Sequence, residues 1–526
     1  MQAYRELARV FTRLYRLGHA SAMLEWDQMV MLPPGAAAAD ARVAATAELD
    51  VVKHELITDP RVGEWLDTAE AAATSGDFTD VHRGNLAEMR RAYAAETKLP
   101  KDLVEALSTA KGRGEHVWTK ARPANDWDAF KPALADVVAL SRQAGEKLRE
   151  GTDLTAYEAL MDRYEPGLRE ATVDALFDDL KTWLPPLIQR VRAAQAAADA
   201  TSPVVIPAGP FAVPAQTALG EEVLTMMGFD FSGGRLDVSA HPVTGGVAED
   251  VRLTTRYNEG DCAEGLMGVV HEGGHSLYEQ NRPDGDCRPL PGSQARSMGV
   301  HESQSLFFEM QIGRGLPFQR YVAPLYRKHF PAAAAAPSGD VAFSPENLFR
   351  WQTRVAPGLI RVDADELTYP MHVILRYEIE KALIAGTATV DDVPRLWREK
   401  MQVYLGLDVS GAEGSAIASD RVHRDGAMQD IHWAVGYLGY FPTYTIGAML
   451  AAQFMAAVRR DLGGAAVDAA IAAGNLSPVT AWLREKVWRR GSLVPTATIV
   501  ADATGEPLNA AHFRRHLESR YLPAEA

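Results

Sequence analysis

Apolar residues recur along most of this chain at helical spacing. Phe130, Leu134 and Val138 stand four apart, and Val173, Leu176, Phe177 and Leu180 occupy i, i+3, i+4 and i+7 of a second stripe. Pro185-Pro186 is expected to end or kink that second helix, because proline removes a backbone donor and clashes with the preceding turn. The opening stretch, MQAYRELARVFTRLYRLGHA, interleaves charged and apolar positions and reads as an amphipathic helix, so no secretory leader is expected there. Asp199 to Gln216, rich in proline and small residues, predicts a loop or linker, as does Pro331 to Asp340. The pattern changes between about Phe229 and Tyr257. Gly233-Gly234 and Gly245-Gly246 punctuate two short segments there, Arg235 to Val243 and Asp250 to Tyr257, and Val251 and Leu253 alternate with polar neighbours as strand residues do. The expected fold class is mostly α, with one small β-sheet just ahead of the helix that carries the motif below.

Composition narrows the class. With 526 residues, 47% hydrophobic and 23% charged, the chain has the make-up of a large globular protein. Its longest apolar run, from Ile446 to Val458, is interrupted by Gln453 and is too short to span a bilayer. Cys262 and Cys287 are the only cysteines, too few for a disulfide framework, which points to a reducing, cytoplasmic setting. A net charge of -15 argues against a nucleic-acid partner, since phosphate binding rests on Lys and Arg.

Residues 271–275 read His-Glu-Gly-Gly-His. Asp261 followed by Glu264 resembles a capping box, which predicts a helix from about Asp261 to Gln280 with Leu266, Val270, Gly273 and Leu277 on its buried stripe. Histidines four apart project from one face of such a helix and can share a single ion. Neutral imidazoles suit zinc, and a catalytic zinc site keeps one position for water, where the Glu272 carboxylate could take a proton. In a chain with 14 histidines this pattern arises by chance about two per cent of the time. The alternative is an ordinary helix with two exposed histidines. A third ligand is needed, and no histidine stands at the metzincin spacing; the carboxylates downstream are Glu279, Asp284, Asp286, Glu302 and Glu309. Glu302 opens a second helical segment after a Gly/Pro-rich loop, and Glu309, seven residues on, is its rival. Two adjacent glycines inside a helix cost about 1 kcal/mol each against alanine, which close approach of another backbone or of substrate would justify.

At this point the chain resembles the thermostable (Taq-type) metallocarboxypeptidase family, whose members carry six signatures in a fixed order. Asp250-Val-Arg252-Leu-Thr254 matches DxRxT, His271-Glu-Gly-Gly-His275 matches HExxH, and His301-Glu302-Ser303-Gln304 matches HESQ. Ile360-Arg361-Val-Asp-Ala364-Asp365 matches IRxxAD, and Gly426-Ala-Met-Gln429-Asp430-Ile-His432-Trp433 matches GxxQDxHW. His241-Pro242-Val243 departs from HPF at its last position, which puts only the local wall of the site in question. Leu24-Glu-Trp26-Asp27-Gln28, Pro33-Pro34-Gly35 and Gly439-Tyr-Phe-Pro-Thr-Tyr444 also fit. The resemblance implies Glu302 as third ligand and a helical metallopeptidase with a long groove between two mostly helical halves. As one domain over 1–526, these would be an N-terminal half of about 1–200 and a catalytic half of about 218–526. It further implies release of single residues of broad character from peptide C-termini, a divalent ion (zinc, sometimes cobalt) and a homodimer.

An exopeptidase must hold the terminal carboxylate of its substrate, which a fixed guanidinium does best. Arg361 is the first candidate and Arg252 the second; the alternative for Arg361 is a structural ion pair with Asp363 or Asp365. His432 and Tyr440, with Tyr444 behind them, are candidates for stabilising the oxyanion. Asp250, Arg252 and Thr254 could bind substrate backbone or brace the edge strand, His241 is a further candidate for substrate binding, and Gln304 and Ser305 could orient the ligands. An internally cutting oligopeptidase and a metal-stabilised peptide-binding protein are the competing functions.

Overall fold

In the computed structural model, which describes residues 1–33, 35–74 and 76–522, the chain is mostly α-helical with one three-stranded sheet. Pro34, within the Pro33-Pro34-Gly35 match, lies outside the described residues. The chain divides into two compact units. The first gathers Met1–Thr97, Val204–Gln352 and Gly447–Phe513; the second gathers Lys98–Pro203, Thr353–Ile446 and the segment from Arg514 onward.

In the first unit the N-terminal helix runs from Gln2 to Val30 and buries Tyr4, Leu7 and Phe11 in a cluster with Val62, Leu66, Phe78, Leu86 and Met89. The sheet has the order β1-β3-β2, with β1 Gly234–Val238, β2 Thr244–Val247 and β3 Asp250–Thr255. β1 runs parallel to β3 and β2 antiparallel to it. The expectation of two strands missed β2, whose Gly245-Gly246 pair reads as punctuation. Glycine is required at 246 for contact: φ is +104°, and a Cβ would lie 2.0 Å from the Asp250 carbonyl oxygen.

The motif helix spans Glu264–Gln280, three residues shorter at its start than expected. Asp261 is not the N-cap, which is Ala263; it stands two residues ahead and accepts from the backbone N–H of Ala263 and Glu264. Glu264 completes no capping box; its carboxylate goes to Arg256 and Asn258. Leu266, Val270, Gly273 and Leu277 are buried, as the stripe predicts. The glycines are contact positions. A Cβ on Gly273 would stand 2.8 Å from Leu224 and Met227 of the helix Val213–Met227, and one on Gly274 would stand 2.5 Å from the Gln304 carbonyl oxygen. Gln304 belongs to the helix Met298–Leu306, started by the Ser297 side chain accepting from Val300 N–H. From Phe307 to Gly313 this helix continues as a π-helical turn.

In the second unit Phe130, Leu134 and Val138 are buried along the helix Trp127–Leu148. The helix Glu170–Thr201 runs through Pro185-Pro186 without ending there. Its buried residues on both sides of the prolines, Trp183, Leu184, Leu187 and Ile188, hold it helical by packing where local hydrogen bonding is lost. The predicted loop from Asp199 accordingly shrinks to the residues between Thr201 and Val213, and Pro331–Ala334 and Gly339–Ala342 form short helical turns where a loop is expected. Both cysteines are free, and no described helix is long and apolar enough to cross a membrane.

Candidate metal centre and arginine cluster

The close approach of the motif helix to the helix Met298–Leu306 decides which carboxylate reaches the histidines. One ligand atom each from His271, His275 and Glu302 lies within 4.8 Å of the others. Glu302 Oε2 is 3.5 Å from His275 Nε2. Gly447 makes room for it, since a Cβ there would stand 2.9 Å from the Glu302 Cβ.

Both imidazoles have their outward nitrogen engaged. His271 Nδ1 is 2.9 Å from Glu309 Oε2, and Glu309 Oε1 accepts from Arg314 at 2.8 Å. His275 Nδ1 is 2.6 Å from His301 Nδ1, whose Nε2 is 2.9 Å from Glu279 Oε1. Arg282 closes that chain on Glu279. With Nδ1 engaged outward, each of these histidines has Nε2 left for the centre, the ring orientation a metal needs. Burial raises the Glu309 carboxyl, but Arg314 and His271 outweigh it and hold it at about 2. Glu279 is likewise raised by burial and brought down to about 2 by Arg282 and His301.

The donor set fits a divalent cation. Burial would lower the pKa of His271, yet Glu309, Glu302 and Glu272 together raise it to about 10. Two imidazoles and a carboxylate with donor atoms within 4.8 Å of one another are ligand types that a divalent cation takes. Glu272 is buried, and Thr244 donates to its Oε2 at 2.7 Å.

Glu309 therefore stands behind a histidine, although it lies on the same chain segment as Glu302. The π turn carries the cause: its wider winding moves the later residues off the face that an uninterrupted α-helix would continue. Ser305 donates to the Glu302 carbonyl oxygen. Gln304 bonds to Ser303 and Trp488 instead of to a ligand side chain. His301, Glu279 and Glu309 are the orienting partners that sequence reasoning did not assign. One signal existed for Glu279, which is four residues after His275 on the same helix face.

Arg361, His432 and Tyr440 gather in the second unit. Arg361 is 5% exposed, and its Nε and Nη2 donate to Asp430 Oδ1 at 3.2 and 3.0 Å. Its Nη1 donates to the Tyr369 hydroxyl at 2.7 Å, and the guanidinium lies over the Tyr444 ring at 4.9 Å. Asp430, not Asp363 or Asp365, is its acidic partner; Asp365 accepts from the backbone N–H of Ala356, Leu367 and Thr368. Gln429 ties the two signatures together, accepting from Arg361 N–H and donating to the Leu359 carbonyl. The fully buried Arg376 shares Asp430, so two guanidiniums face one carboxylate. Burial pulls the His432 pKa to about 4, leaving a neutral ring, with Nε2 3.2 Å from the Tyr444 hydroxyl and Tyr440 alongside at 5.7 Å between ring centroids.

Asp250 and Arg252 form a third group, back in the first unit. They pair with each other through two bonds of 2.9 and 2.8 Å. Arg252 and Arg235 lie over the Trp26 ring at 4.6 and 5.0 Å, and His19 reaches Asp250. His241 is exposed.

Comparison with known proteins agrees with this geometry. The family profile described as carboxypeptidase Taq (M32) metallopeptidase matches residues 6–521. The thermostable carboxypeptidase 1 of Thermus thermophilus is 36% identical over 99% of this chain and 98% of its own length. Among solved structures, the Trypanosoma cruzi metallocarboxypeptidase 1 is 44% identical with a TM-score of 0.93, covering 99% of this chain and 100% of that one. An M32 carboxypeptidase from Deinococcus radiodurans is 32% identical with a TM-score of 0.88, over 99% of both chains. Three inward-facing donors beside a buried glutamate, a mostly helical fold and a full-length family match lead to one conclusion: the chain belongs to the carboxypeptidase Taq (M32) family of metallopeptidases.

Proposed function

We propose that this metallocarboxypeptidase releases single residues of broad character from free peptide C-termini, with zinc as the working ion and cobalt or another divalent metal able to replace it. The observation that carries the reading is the convergence of His271, His275 and Glu302 donor atoms within 4.8 Å. A divalent cation held by these three residues supplies a Lewis acid for the scissile carbonyl and acidifies water beside it. Glu272 takes the proton of the attacking water and returns it to the leaving amine. Glu309 and His301 keep His271 and His275 oriented for the ion.

Arg361 receives the terminal carboxylate of the substrate. Supporting this, Arg361 and Arg376 share Asp430 as the one salt-bridge partner they show among the described residues, so neither guanidinium has a carboxylate to itself. His432 and Tyr440 are assigned to the oxyanion; a neutral His432 can donate a hydrogen bond without adding charge. Asp250 and Arg252, closed on each other and on Trp26, act as a brace for the sheet. A cytoplasmic setting, with both cysteines free, and a homodimer complete the reading.

The test is an unblocked pentapeptide beside its C-terminal amide, each with and without chelator, with products followed by mass. Stepwise loss of C-terminal residues from the free peptide alone, restored by metal after chelation, is the expected result. Internal cleavage of both peptides would make the enzyme an oligopeptidase and remove Arg361 from its role.

A further inference from the structure

Two signatures, Asp250-Val-Arg252-Leu-Thr254 and His241-Pro242-Val243, contribute none of the three donor atoms. They meet each other instead. Thr254 is fully buried; its Oγ1 accepts from Val243 N–H at 3.1 Å and lies 2.7 Å from Ser239 Oγ, while its own N–H donates to the Val243 carbonyl at 2.9 Å. These bonds fix the chain immediately ahead of β2, where Thr244 stands opposite Leu253. In that register Thr244 Oγ1 is 2.7 Å from Glu272 Oε2, 3.0 Å from the Glu272 carbonyl oxygen and 3.4 Å from Ser276 Oγ. A hydroxyl has one proton to give, and of these three partners the carboxylate is both the nearest and the charged one.

We infer that Thr244 is a positioning residue for the reaction: it donates to Oε2 of Glu272, fixes the carboxylate plane and leaves Oε1 to carry the proton. The inference rests on the proposed role of Glu272. A glutamate side chain free to turn about its torsions spends most of its time in orientations that do not face the water, and small misplacements of a reacting group are costly in rate. The sheet thereby gains a purpose in the site. Thr254 pins the turn, the turn sets the register of β2, and β2 presents one hydroxyl to the motif helix.

Thr244→Val keeps the shape and strand preference but removes the donor; Thr244→Ser keeps the donor. We expect T244V to lose kcat about 10- to 100-fold, as loss of an orienting partner does, with KM and bound metal at parental levels. T244S should retain most of the parental kcat. In a Glu272→Gln background T244V should change the residual rate no further, and a crystal structure of T244V should show Glu272 turned away from its parental orientation. If T244V does not fold, Thr244→Ala is read by the same measures. Parental kcat in T244V, or T244S as slow as T244V, overturns the role of Thr244 and leaves Glu272 standing. Parental turnover in E272Q overturns the reading of Glu272, and this inference with it.

Discussion

Removing Glu309 should weaken metal binding although Glu309 is not among the three converging donors. Its carboxylate, held ionised at about 2, accepts from His271 Nδ1 at 2.9 Å while Arg314 at 2.8 Å fixes its other oxygen. In Glu309→Ala the His271 ring loses the partner that keeps the proton on Nδ1 and the lone pair of Nε2 facing inward. The ring must then be ordered when metal binds, and Arg314 is left without that acceptor. Losses of this kind run to about 10- to 100-fold in metal affinity, or about 1.4–2.8 kcal/mol. Competition against a chromophoric chelator, with protein and ion at fixed totals, reads the dissociation constant directly. Glu309→Gln, which keeps an acceptor oxygen without the charge, should fall between parent and E309A. An E309A protein that holds its ion as tightly as the parent would refute the reasoning, because the outward hydrogen bond would then contribute nothing to ligand orientation.

Two further predictions concern stability. Burial raises the Glu366 carboxyl, but His516 and Arg520 outweigh it and hold it at about 2 against an ordinary 4.5, so it stabilises the fold fully above about pH 4.5 and progressively less as pH falls toward 2. Glu366→Gln should therefore cost about 3 kcal/mol at pH 7, with the gap closing toward pH 3 in urea unfolding; a gap independent of pH would contradict the assignment. Gly274→Ala should lower the thermal midpoint and weaken metal binding together, because its Cβ meets the Gln304 carbonyl at 2.5 Å and pushes the helix that bears Glu302, at a cost of about 1–3 kcal/mol. Gly112→Ala, in the helix Lys101–Ala121 with open space around it, should instead stabilise by about 0.4–1 kcal/mol in the same melt.

What the sequence makes legible is what is local. The helical stripe through Leu266, Val270 and Leu277 and the pairing of His271 with His275 follow from spacing within one element. The alternation around Val251 and Leu253 locates β3 for the same reason. Legibility ends where distant segments decide. β2 exists because it pairs with β3, despite glycines that read as a turn. The helix through Pro185-Pro186 persists on packing that no local propensity encodes. Arg361 finds Asp430, 69 residues away, while two acids stand within four positions of it. The π turn after Leu306, which sends Glu302 and Glu309 to different neighbours, has no compositional mark.

Gly447, which makes room for Glu302, belongs to the last of the three chain segments that build the first unit. Trp488, which holds Gln304 by its indole N–H, lies 184 residues beyond that partner. At about 5–20 residues per second of synthesis, the ribosome makes the HESQ helix roughly 10–40 s before it makes the surfaces that seat it. A nascent chain thus carries His271, His275 and Glu302 before the packing that aligns them. The site is therefore seated by chain made after it: until the segment through Trp488 exists, the helix that bears Glu302 lacks the neighbours that align it.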